Sequence, residues 1–315
     1  MTDLASNDVA WLWDHLRQRE WSDLLARAPA PTLEQSWAYG AAIEAVSPYR
    51  ARRGVASIGQ RPAALLQVFT RRVGPLTLTK SLRGPIALAP LDPETMVGLM
   101  RSVAERLRIR QRRPLFWLPE LPAGEADRMM RALGKRPMVR GYATSVVDLT
   151  QDEAALRARL DGKWRNQLVR AEEAGLRVQS AHGGRFLDLL VQRHETFRRT
   201  KRHHGHSGQE IAALVAAIEP KEDALILTAL DRNDPVSGIL LVVHGRGATY
   251  HVGWTGEEGR KANAHNLLLW RGVLALKSRG VAFLDLGGID DRAAGVARFK
   301  LGLGGGITDL AAMYL

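Results

Sequence analysis

The sequence is organised around two glycine-containing segments near its C-terminus, Asp285-Leu286-Gly287-Gly288 and Phe299-Lys300-Leu301-Gly302-Leu303-Gly304-Gly305. An apolar run over 281–286 predicts a strand that ends at the first pair of glycines. The second segment places a lysine beside a glycine cluster. Glycine lets a backbone approach a ligand closely, and a lysine held in place stabilises negative charge that develops in a reaction. The spacing by itself fits a catalytic lysine and a solvated surface lysine about equally well.

The composition predicts a globular protein with two domains. The chain has 315 residues and 45% hydrophobic content, which suits two domains of about 150 residues. It contains no cysteine, so disulfides, thiol nucleophiles and cysteine-ligated metals are excluded. The segment 1–8 has no basic stretch leading into an apolar run, and no apolar run approaches ~18 residues. We therefore expect a cytoplasmic protein with no signal peptide and no membrane-spanning helix.

The charge balance is strongly basic. The formal net charge is +12 and the pI is about 10.5. A surplus of this size attracts polyanions, and nucleic acids, phosphorylated substrates and anionic membrane surfaces all qualify. The charge does not choose among them.

The first half of the chain alternates predicted strands and helices. Amphipathic spacing predicts a helix over 8–28, and Thr32 is the expected N-cap of a second helix. The later elements are read from apolar alternation and turn residues: strands at 50–57, 63–71, 76–82, 115–118 and 142–148, with helices at 93–111 and 125–133. This order predicts a mixed sheet covered by helices, in the α/β or α+β class.

The second half repeats a similar order. Thr150 and Glu153 have the spacing of a capping box, which opens a predicted helix over 153–174 with an irregularity at Gly162. The basic side chains of Lys163 and Arg170 fall near one face of that helix, as a solvated face or as a phosphate-binding one. The remaining predictions are strands at 176–180, 224–230, 236–244, 248–255, 281–286 and 307–315, and helices at 184–199, 207–218 and 265–278. The shared order indicates an old duplication, with the domain boundary between residues 149 and 150.

A cationic, histidine-rich segment runs from Arg198 to His206. Three histidines within four positions suggest a metal site, but the neighbouring arginines and lysine oppose the binding of another cation. We expect no metal here, and the segment remains open between an anion-binding loop and an ordinary surface loop.

The second half also resembles a known family. A strand hairpin, a polar loop, a helix and a further strand form the core order of the GNAT acyltransferase fold. Within that order the chain resembles the Fem family, whose members attach amino acids to peptidoglycan precursors. The matching segments are Leu149-Thr150, Lys163-Trp164-Arg165-Asn166, Arg170-Ala171, Gly175-Leu176-Arg177-Val178, Phe283 to Gly288, Gly295-Val296 and Phe299 to Gly305. In the first half, Gln35-Ser36-Trp37 and Arg83-Gly84-Pro85 are similar to Fem landmarks.

The resemblance implies a fold, an activity and a set of site residues. The implied fold is two tandem GNAT-like domains, 1–149 and 150–315, and the implied activity is transfer of an acyl or aminoacyl group to an amine of a cell-wall precursor. Phe299 and Lys300 would lie at the reaction centre, where Lys300 stabilises charge at the transferred carbonyl. The candidates for substrate binding are Arg202, with Arg83 behind it, for acceptor phosphates, and Lys163, Arg165, Gly287 and Gly288. The candidate bases are Asp285, Asp290, Asp291 and Glu195, and the spacing selects none of them.

The donor remains open at this point. Fem enzymes that use tRNA usually carry a helical-hairpin arm, although several lack it, and this sequence has no heptad-rich insertion. Ordinary GNAT enzymes hold the pyrophosphate of acetyl-CoA with Gln/Arg-x-x-Gly-x-Gly/Ala, whereas residues 260–265 read Arg-Lys-Ala-Asn-Ala-His. The missing glycines favour aminoacyl-tRNA over acyl-CoA as donor. Two alternatives remain: an acyl-CoA-dependent GNAT N-acyltransferase that modifies a polysaccharide or a small molecule, and a GNAT-like module that binds polyanions without chemistry.

Overall fold

The computed structural model describes residues 9–107, 114–201, 205–289 and 293–315. The chain forms two compact units. Unit 1 extends to Tyr142 and also includes Asp309–Leu315, and unit 2 comprises Ala143–Thr308. No helix within these described ranges is long and apolar enough to cross a membrane.

Unit 1 is a mixed sheet with helices packed on it. Its strands are β1 (Val9–Trp13), β2 (Arg50–Ile58), β3 (Arg61–Val73), β4 (Leu76–Leu82), β5 (Ile86–Ala87), β6 (Leu115–Leu118), β7 (Pro137–Val139) and β15 (Met313–Tyr314). Its helices are α1 (Gln18–Arg27), α2 (Trp37–Val46), α3 (Pro93–Arg106) and α4 (Ala123–Ala132). The strand order is β1-β2-β3-β4-β6-β15-β7, with β5 on β3. Strands β4 and β6 are parallel, and the core on one face is built around Leu66, Met100 and Trp117.

Unit 2 repeats this plan. Its strands are β8 (Ala143–Asp148), β9 (Arg177–Ala181), β10 (Ala224–Asp231), β11 (Asp234–His244), β12 (Gly247–Thr255), β13 (Phe283–Ile289) and β14 (Gly306–Asp309). Its helices are α5 (Glu153–Ala158), α6 (Gly162–Glu173), α7 (Arg185–Lys201), α8 (Gly208–Ala217), α9 (Glu257–Lys261), α10 (Ala264–Ser278) and α11 (Ala294–Leu301). The strand order is β14-β8-β13-β12-β11-β10-β9, and β12 and β13 are parallel. The core lies where α6 and α10 cover the sheet, around Leu168, Leu241 and Leu268.

The two units have the same topology, and each completes its sheet with a strand from the other half of the sequence. In unit 2, β8 lies between β13 and β14, although it precedes both in the chain by more than a hundred residues. In unit 1, β15 occupies the corresponding place between β6 and β7. The shared order supports the predicted duplication, and the mixed α/β class is confirmed.

The compact units therefore differ from the predicted division between residues 149 and 150. Residues 143–148 pair with β13, for example Leu284 with Val147, so they complete the sheet of unit 2. Residues 313–314 pair with β6 and β7 in unit 1. The reason is geometric: β8 and β15 are each separated by more than a hundred residues from the strands with which they pair antiparallel, and local sequence patterns do not report such pairing.

Most predicted elements are present, but several local predictions differ from the structure. The predicted helix over 8–28 is a strand followed by α1, because Val9 and Trp11 alternate with exposed neighbours and pair with β2. The second helix is capped by Ser36, whose side chain accepts a hydrogen bond from the Tyr39 amide, and not by Thr32. The helix predicted over 153–174 is two helices, α5 and α6.

The cap of α5 also differs from the prediction. The Asp152 carboxylate accepts a hydrogen bond from the Ala155 amide at 2.7 Å, so Asp152 is the N-cap. Thr150 instead donates its hydroxyl to Asp148 at 2.6 Å. Gly175 follows α6 with φ +69°, as expected for the residue after a helix C-cap.

Arg83 holds the end of the parallel strand pair in unit 1. Its guanidinium donates to both carboxylate oxygens of Glu120, at 2.6 and 2.7 Å, and lies 3.6 Å from Glu34. Its backbone amide donates to Leu118 at 2.6 Å. The side chain is 7% exposed. These contacts favour a structural role for Arg83, and its predicted part in substrate binding stays a prediction.

Replacing Arg83 with methionine is expected to lower the free energy of unfolding of unit 1 by about 3–5 kcal/mol, because the half-buried carboxylate of Glu120 would lose a nearly buried partner. Urea denaturation would measure the change. The matched control is Arg131→Met, which removes an exposed ion pair with Asp127 in the same unit and should change the midpoint little. Equal midpoints for the two variants would contradict a structural role for Arg83.

Candidate active site at a fork between two strands

The parallel strands β12 and β13 separate after three paired residues. The pairs run from Gly247 with Phe283 to Thr249 with Asp285. Beyond them each strand carries an irregularity. β12 has an extra residue, His251, opposite β11, and β13 shifts register against β8 between Asp285 and Gly288. The two irregularities turn the strands apart, which opens a fork lined by backbone groups.

Helix α11 brings Lys300 to this fork. The Lys300 ammonium donates to the Gly288 carbonyl at 2.8 Å, and its nitrogen lies 6.0 Å from the centre of the Tyr250 ring. Gly287 has φ +71°, and a Cβ built there would lie 3.8 Å from the Lys300 nitrogen. Gly287 therefore has a left-handed backbone conformation that favours glycine, and it directly precedes Gly288, whose carbonyl accepts from Lys300.

Asp285 is a fixed carboxylate beneath the fork. It is 3% exposed and accepts hydrogen bonds from the Thr144 hydroxyl at 2.6 Å and the Gly287 amide at 2.8 Å. Burial lowers the pKa of Lys300, and the charge of Asp285 opposes that shift. The arrangement places the Lys300 cation at the fork, near an Asp285 carboxylate that is already hydrogen-bonded. It favours a supporting role for Asp285 over that of a mobile base.

Trp164 fixes the helix that carries Phe299 and Lys300. Its indole N–H donates to the Phe299 carbonyl at 3.0 Å, and the two rings lie 6.0 Å apart. The side chain is 3% exposed, and a Cβ at Gly302 would lie 2.6 Å from it. The start of α6 and the end of α11 therefore pack directly on each other through this indole.

A second hydrogen-bonded group lies beside the fork. The Tyr250 hydroxyl is 2.9 Å from Nε2 of His265, and Nδ1 of His265 is 3.0 Å from the Ser237 hydroxyl. The His265 ring also contacts Phe299 edge to face, with centroids 5.2 Å apart. Burial lowers the pKa of His265 to about 4, with the Trp254 carbonyl opposing the shift. Burial also raises the pKa of Tyr250, so both groups are neutral near pH 7.

Gly253 leaves the space that this group needs. A Cβ there would overlap the Tyr250 hydroxyl and would lie 2.7 Å from the His265 ring. Gly253→Ala is therefore expected to break the Tyr250–His265 hydrogen bond and to destabilise unit 2 by about 1–3 kcal/mol. Thermal unfolding would measure the loss. Gly183→Ala, at a position with open space, is the control, and an unchanged melting temperature for both variants would contradict the close packing.

The other predicted site residues fall into three groups. Lys163 is exposed at the start of α6, and the Arg165 guanidinium donates to the Ala158 and Leu160 carbonyls, where it caps α5. Glu195 accepts from Arg198, Arg199 and the Gly208 amide, and these contacts lower its pKa to about 2, which disfavours it as a base. Arg202, Asp290 and Asp291 lie outside the described residues. The structure thus brings together Lys300, Phe299, Asp285, Gly287 and Gly288.

The described part of the histidine-rich segment packs against β12. His206 stacks on His251 with ring centroids 4.4 Å apart, and its carbonyl lies 2.9 Å from Nε2 of His194. Burial lowers the pKa of both stacked rings. Among the residues that the structure describes, no group of three histidine or acidic side chains is arranged to hold a metal. His203 and His204 lie outside those residues.

Sequence reasoning missed three residues of the site. Trp164 appeared only within a segment that resembles the Fem family, with no role given to it, although its place three residues after the Asp161 cap was a usable signal. Tyr250 and His265 lie on different elements, in β12 and at the start of α10, and no local pattern joins them. The helical conformation of 294–301 was also missed, because glycines surround it.

Comparison with known proteins places this geometry in a fold class. Residues 155–301 match the model of the acetyltransferase (GNAT) domain family, a range that contains α6, the fork and Lys300. No curated protein matches the sequence significantly.

Solved structures match over nearly the whole chain. FemX has a TM-score of 0.81 at 14% identity, with 96% of each chain covered. The C-terminal domain of an Agrobacterium fabrum protein described as a lysylphosphatidylglycerol synthetase has a TM-score of 0.58 at 12% identity, covering 93% of this chain and 92% of that one. A tandem GNAT protein from the clavulanic acid biosynthesis pathway has a TM-score of 0.54 at 13% identity, covering 97% and 96%.

The chain therefore has the GNAT acyltransferase fold, in the form of two tandem GNAT-like units. The resemblance to the Fem family and its GNAT-like relatives is confirmed, since the fold of FemX extends over almost the entire chain. The match of residues 155–301 to an acetyltransferase domain model supports acyl transfer as the class of chemistry.

Proposed function

We propose that this protein is an aminoacyltransferase that moves an activated aminoacyl group to the amine of a phosphorylated cell-wall precursor. The observation that carries the proposal is the Lys300 ammonium held at the fork by the Gly288 carbonyl at 2.8 Å. One hydrogen bond leaves it further N–H groups for a ligand. A fixed donor of this kind stabilises the oxyanion that forms when an amine attacks an acyl carbonyl.

The loop before α10 supports a donor other than acyl-CoA. Lys261 is paired with Glu257 at 3.2 Å and Glu258 at 2.9 Å, and the Arg260 guanidinium donates to the Thr255 carbonyl at 3.0 Å. The side chains of Arg260 and Lys261, which precede this helix, therefore already have hydrogen-bond or ion-pair partners, and the carboxylates of Glu257 and Glu258 lie beside Lys261. Asn263 holds φ +50° where a glycine is the usual residue. This arrangement suits a pyrophosphate poorly and favours aminoacyl-tRNA.

The charge of the protein supports polyanionic substrates on both sides of the reaction. A net charge of +12 attracts tRNA and a phosphorylated acceptor alike. The candidate with the next best support is an acyl-CoA-dependent N-acyltransferase, because residues 155–301 match an acetyltransferase domain model.

The experiment is a transfer assay with a pool of radiolabelled aminoacyl-tRNA and a UDP-linked muramyl pentapeptide as acceptor. Label in the acceptor, lost in Lys300→Ala, is the expected result. In parallel, thermal unfolding is measured with acetyl-CoA, the tRNA pool or the muramyl precursor present. A ligand at about 100 times its Kd stabilises the folded state by about 2.7 kcal/mol.

The outcomes separate the candidates. Stabilisation by the precursor and by tRNA, with acetyl-CoA inert, would agree with the proposal. Stabilisation by acetyl-CoA alone, with acetyl transfer to an amine, would replace it with the N-acyltransferase. Polyanion binding with no transfer from either donor, and no effect of Lys300→Ala, would identify a binding module without chemistry.

A further inference from the structure

We propose that His265 is a positioning residue of the transfer site, which takes the hydroxyl hydrogen of Tyr250 so that the Tyr250 oxygen presents only lone pairs to a bound substrate. The fork then offers two complementary groups. Lys300 donates to the acyl carbonyl, and Tyr250 accepts from an N–H of the attacking amine. This inference rests on the proposed transfer to an amine.

The proton positions follow from Ser237. Its hydroxyl has a single hydrogen and lies 2.9 Å from the Trp254 carbonyl, which can only accept. The Ser237 hydroxyl therefore donates to Trp254, and Nδ1 of His265, 3.0 Å from the Ser237 oxygen, must carry a hydrogen and donate to it. If the Ser237 hydroxyl donated to Nδ1 of His265 instead, the lone pairs of the Ser237 oxygen and the Trp254 carbonyl oxygen would face each other at 2.9 Å.

The same reasoning fixes the other side of the ring. A neutral imidazole with its hydrogen on Nδ1 has a bare Nε2, which accepts. The Tyr250 hydroxyl, 2.9 Å away, must then donate to it. The chain of donors runs in one direction, from Tyr250 through His265 and Ser237 to the Trp254 carbonyl. Ser237 is fully buried, so water does not compete at the far end.

The surroundings keep the ring neutral and in place. The edge-to-face contact with Phe299, at 5.2 Å between centroids, brings an apolar ring next to the imidazole. The lowered pKa of His265 agrees with this environment. A neutral ring matters because a charged one would donate from both nitrogens, which would reverse the Tyr250 hydrogen bond and place a second cation near Lys300.

The location of Tyr250 relates this group to the reacting atoms. The Tyr250 carbonyl lies 3.9 Å from a Cβ built at Gly287, and its ring centre lies 6.0 Å from the Lys300 nitrogen. Tyr250 is thus the residue at which β12 leaves β13. The Tyr250 hydroxyl and the Phe299 ring both contact His265, and the Tyr250 ring lies near the Lys300 nitrogen.

The first test is spectroscopic and needs no substrate. Protein labelled with ¹⁵N-histidine would be studied at pH 7 by two-bond ¹H–¹⁵N correlation, with the His265 signals assigned by their loss in His265→Gln. The expected result is a neutral ring with the hydrogen on Nδ1, which becomes a mixture of tautomers in Ser237→Ala. A ring protonated on Nε2, or a cationic ring, would overturn the inference whatever the protein transfers.

The second test uses the aminoacyl-transfer assay. Ser237→Ala changes no group that touches substrate, yet it is expected to lower kcat about tenfold with KM for the acceptor unchanged within twofold. Tyr250→Phe should lower kcat similarly, and the double variant should fall no further, because both changes remove one interaction. Wild-type kcat in Ser237→Ala, or additive losses, would overturn the inference. Absence of transfer in the wild type would instead reject the proposed function and leave the tautomer result standing.

Discussion

Replacing Lys300 with alanine is expected to slow acyl transfer by about 100–1000-fold, the range measured when one oxyanion donor is removed from an active site. The Lys300 nitrogen donates to Gly288 at 2.8 Å, and in the proposed function it is the cation that stabilises the developing oxyanion. The fold should persist, because the side chain is only half-buried and its stem packs no core. Initial rates at saturating donor and acceptor, together with circular dichroism, would measure both effects.

Two controls make this result specific. Lys221→Ala removes another lysine of unit 2, one that is exposed and hydrogen-bonded to the Ala216 carbonyl, and it should transfer at the wild-type rate. Lys300→Arg keeps a positive charge but replaces the compact ammonium with a wider planar group, so a substantial loss is expected there too. A Lys300→Ala protein that transfers within threefold of the wild type would rule out the oxyanion role.

Replacing Trp164 with alanine is expected to lower the free energy of unfolding by about 3–5 kcal/mol, because removal of a large buried ring leaves a cavity. The same change removes the indole N–H that holds the Phe299 carbonyl at 3.0 Å. Transfer should therefore fall together with stability, since α11 would no longer keep Lys300 at the fork. Urea denaturation and transfer rates below the unfolding transition would separate the two losses.

Trp164→Phe distinguishes packing from hydrogen bonding. Phenylalanine retains part of the ring volume but leaves the Phe299 carbonyl without its donor, a loss of about 1–3 kcal/mol. An exposed control in the same helix is Val169→Ala, at 39% exposure, which should change little. If Trp164→Ala unfolds at the wild-type urea concentration, the indole does not support α11 in the way described.

Much of the fold could be predicted from the sequence, because most strands and helices have a clear local pattern of apolar residues. The strands β2, β3, β4, β10, β11, β12 and β13 fall close to their predicted ranges, since each alternates or runs apolar between turn residues. The helix α10 was equally clear. The prediction for Val9–Trp13 was wrong because Trp11 fits both a helical and an alternating apolar pattern. Only the pairing with β2 decides between the two.

The candidate site was predictable in part. The Asp285–Gly288 segment and Phe299–Lys300 were found because glycines beside charged residues stand out in a sequence. The structure adds what spacing cannot report: the divergence of β12 from β13, the support from Trp164, and the hydrogen-bonded group of Tyr250 and His265. The divergence of the strands depends on register shifts. The contact between Trp164 and Phe299 joins residues more than a hundred positions apart in the sequence.

The exchanged strands have a consequence for synthesis on the ribosome. β6 and β7 are made early, but β15, which lies between them in the sheet, is made only after the whole of unit 2. The roughly 170 residues between Tyr142 and Asp309 take about 10–30 s to translate at 5–20 residues per second. Throughout that interval the nascent first half presents unpaired strand edges, which invite association with other chains. Unit 1, although it is begun first, therefore completes its sheet only after unit 2 has been made, and a chaperone would protect its strand edges during that interval.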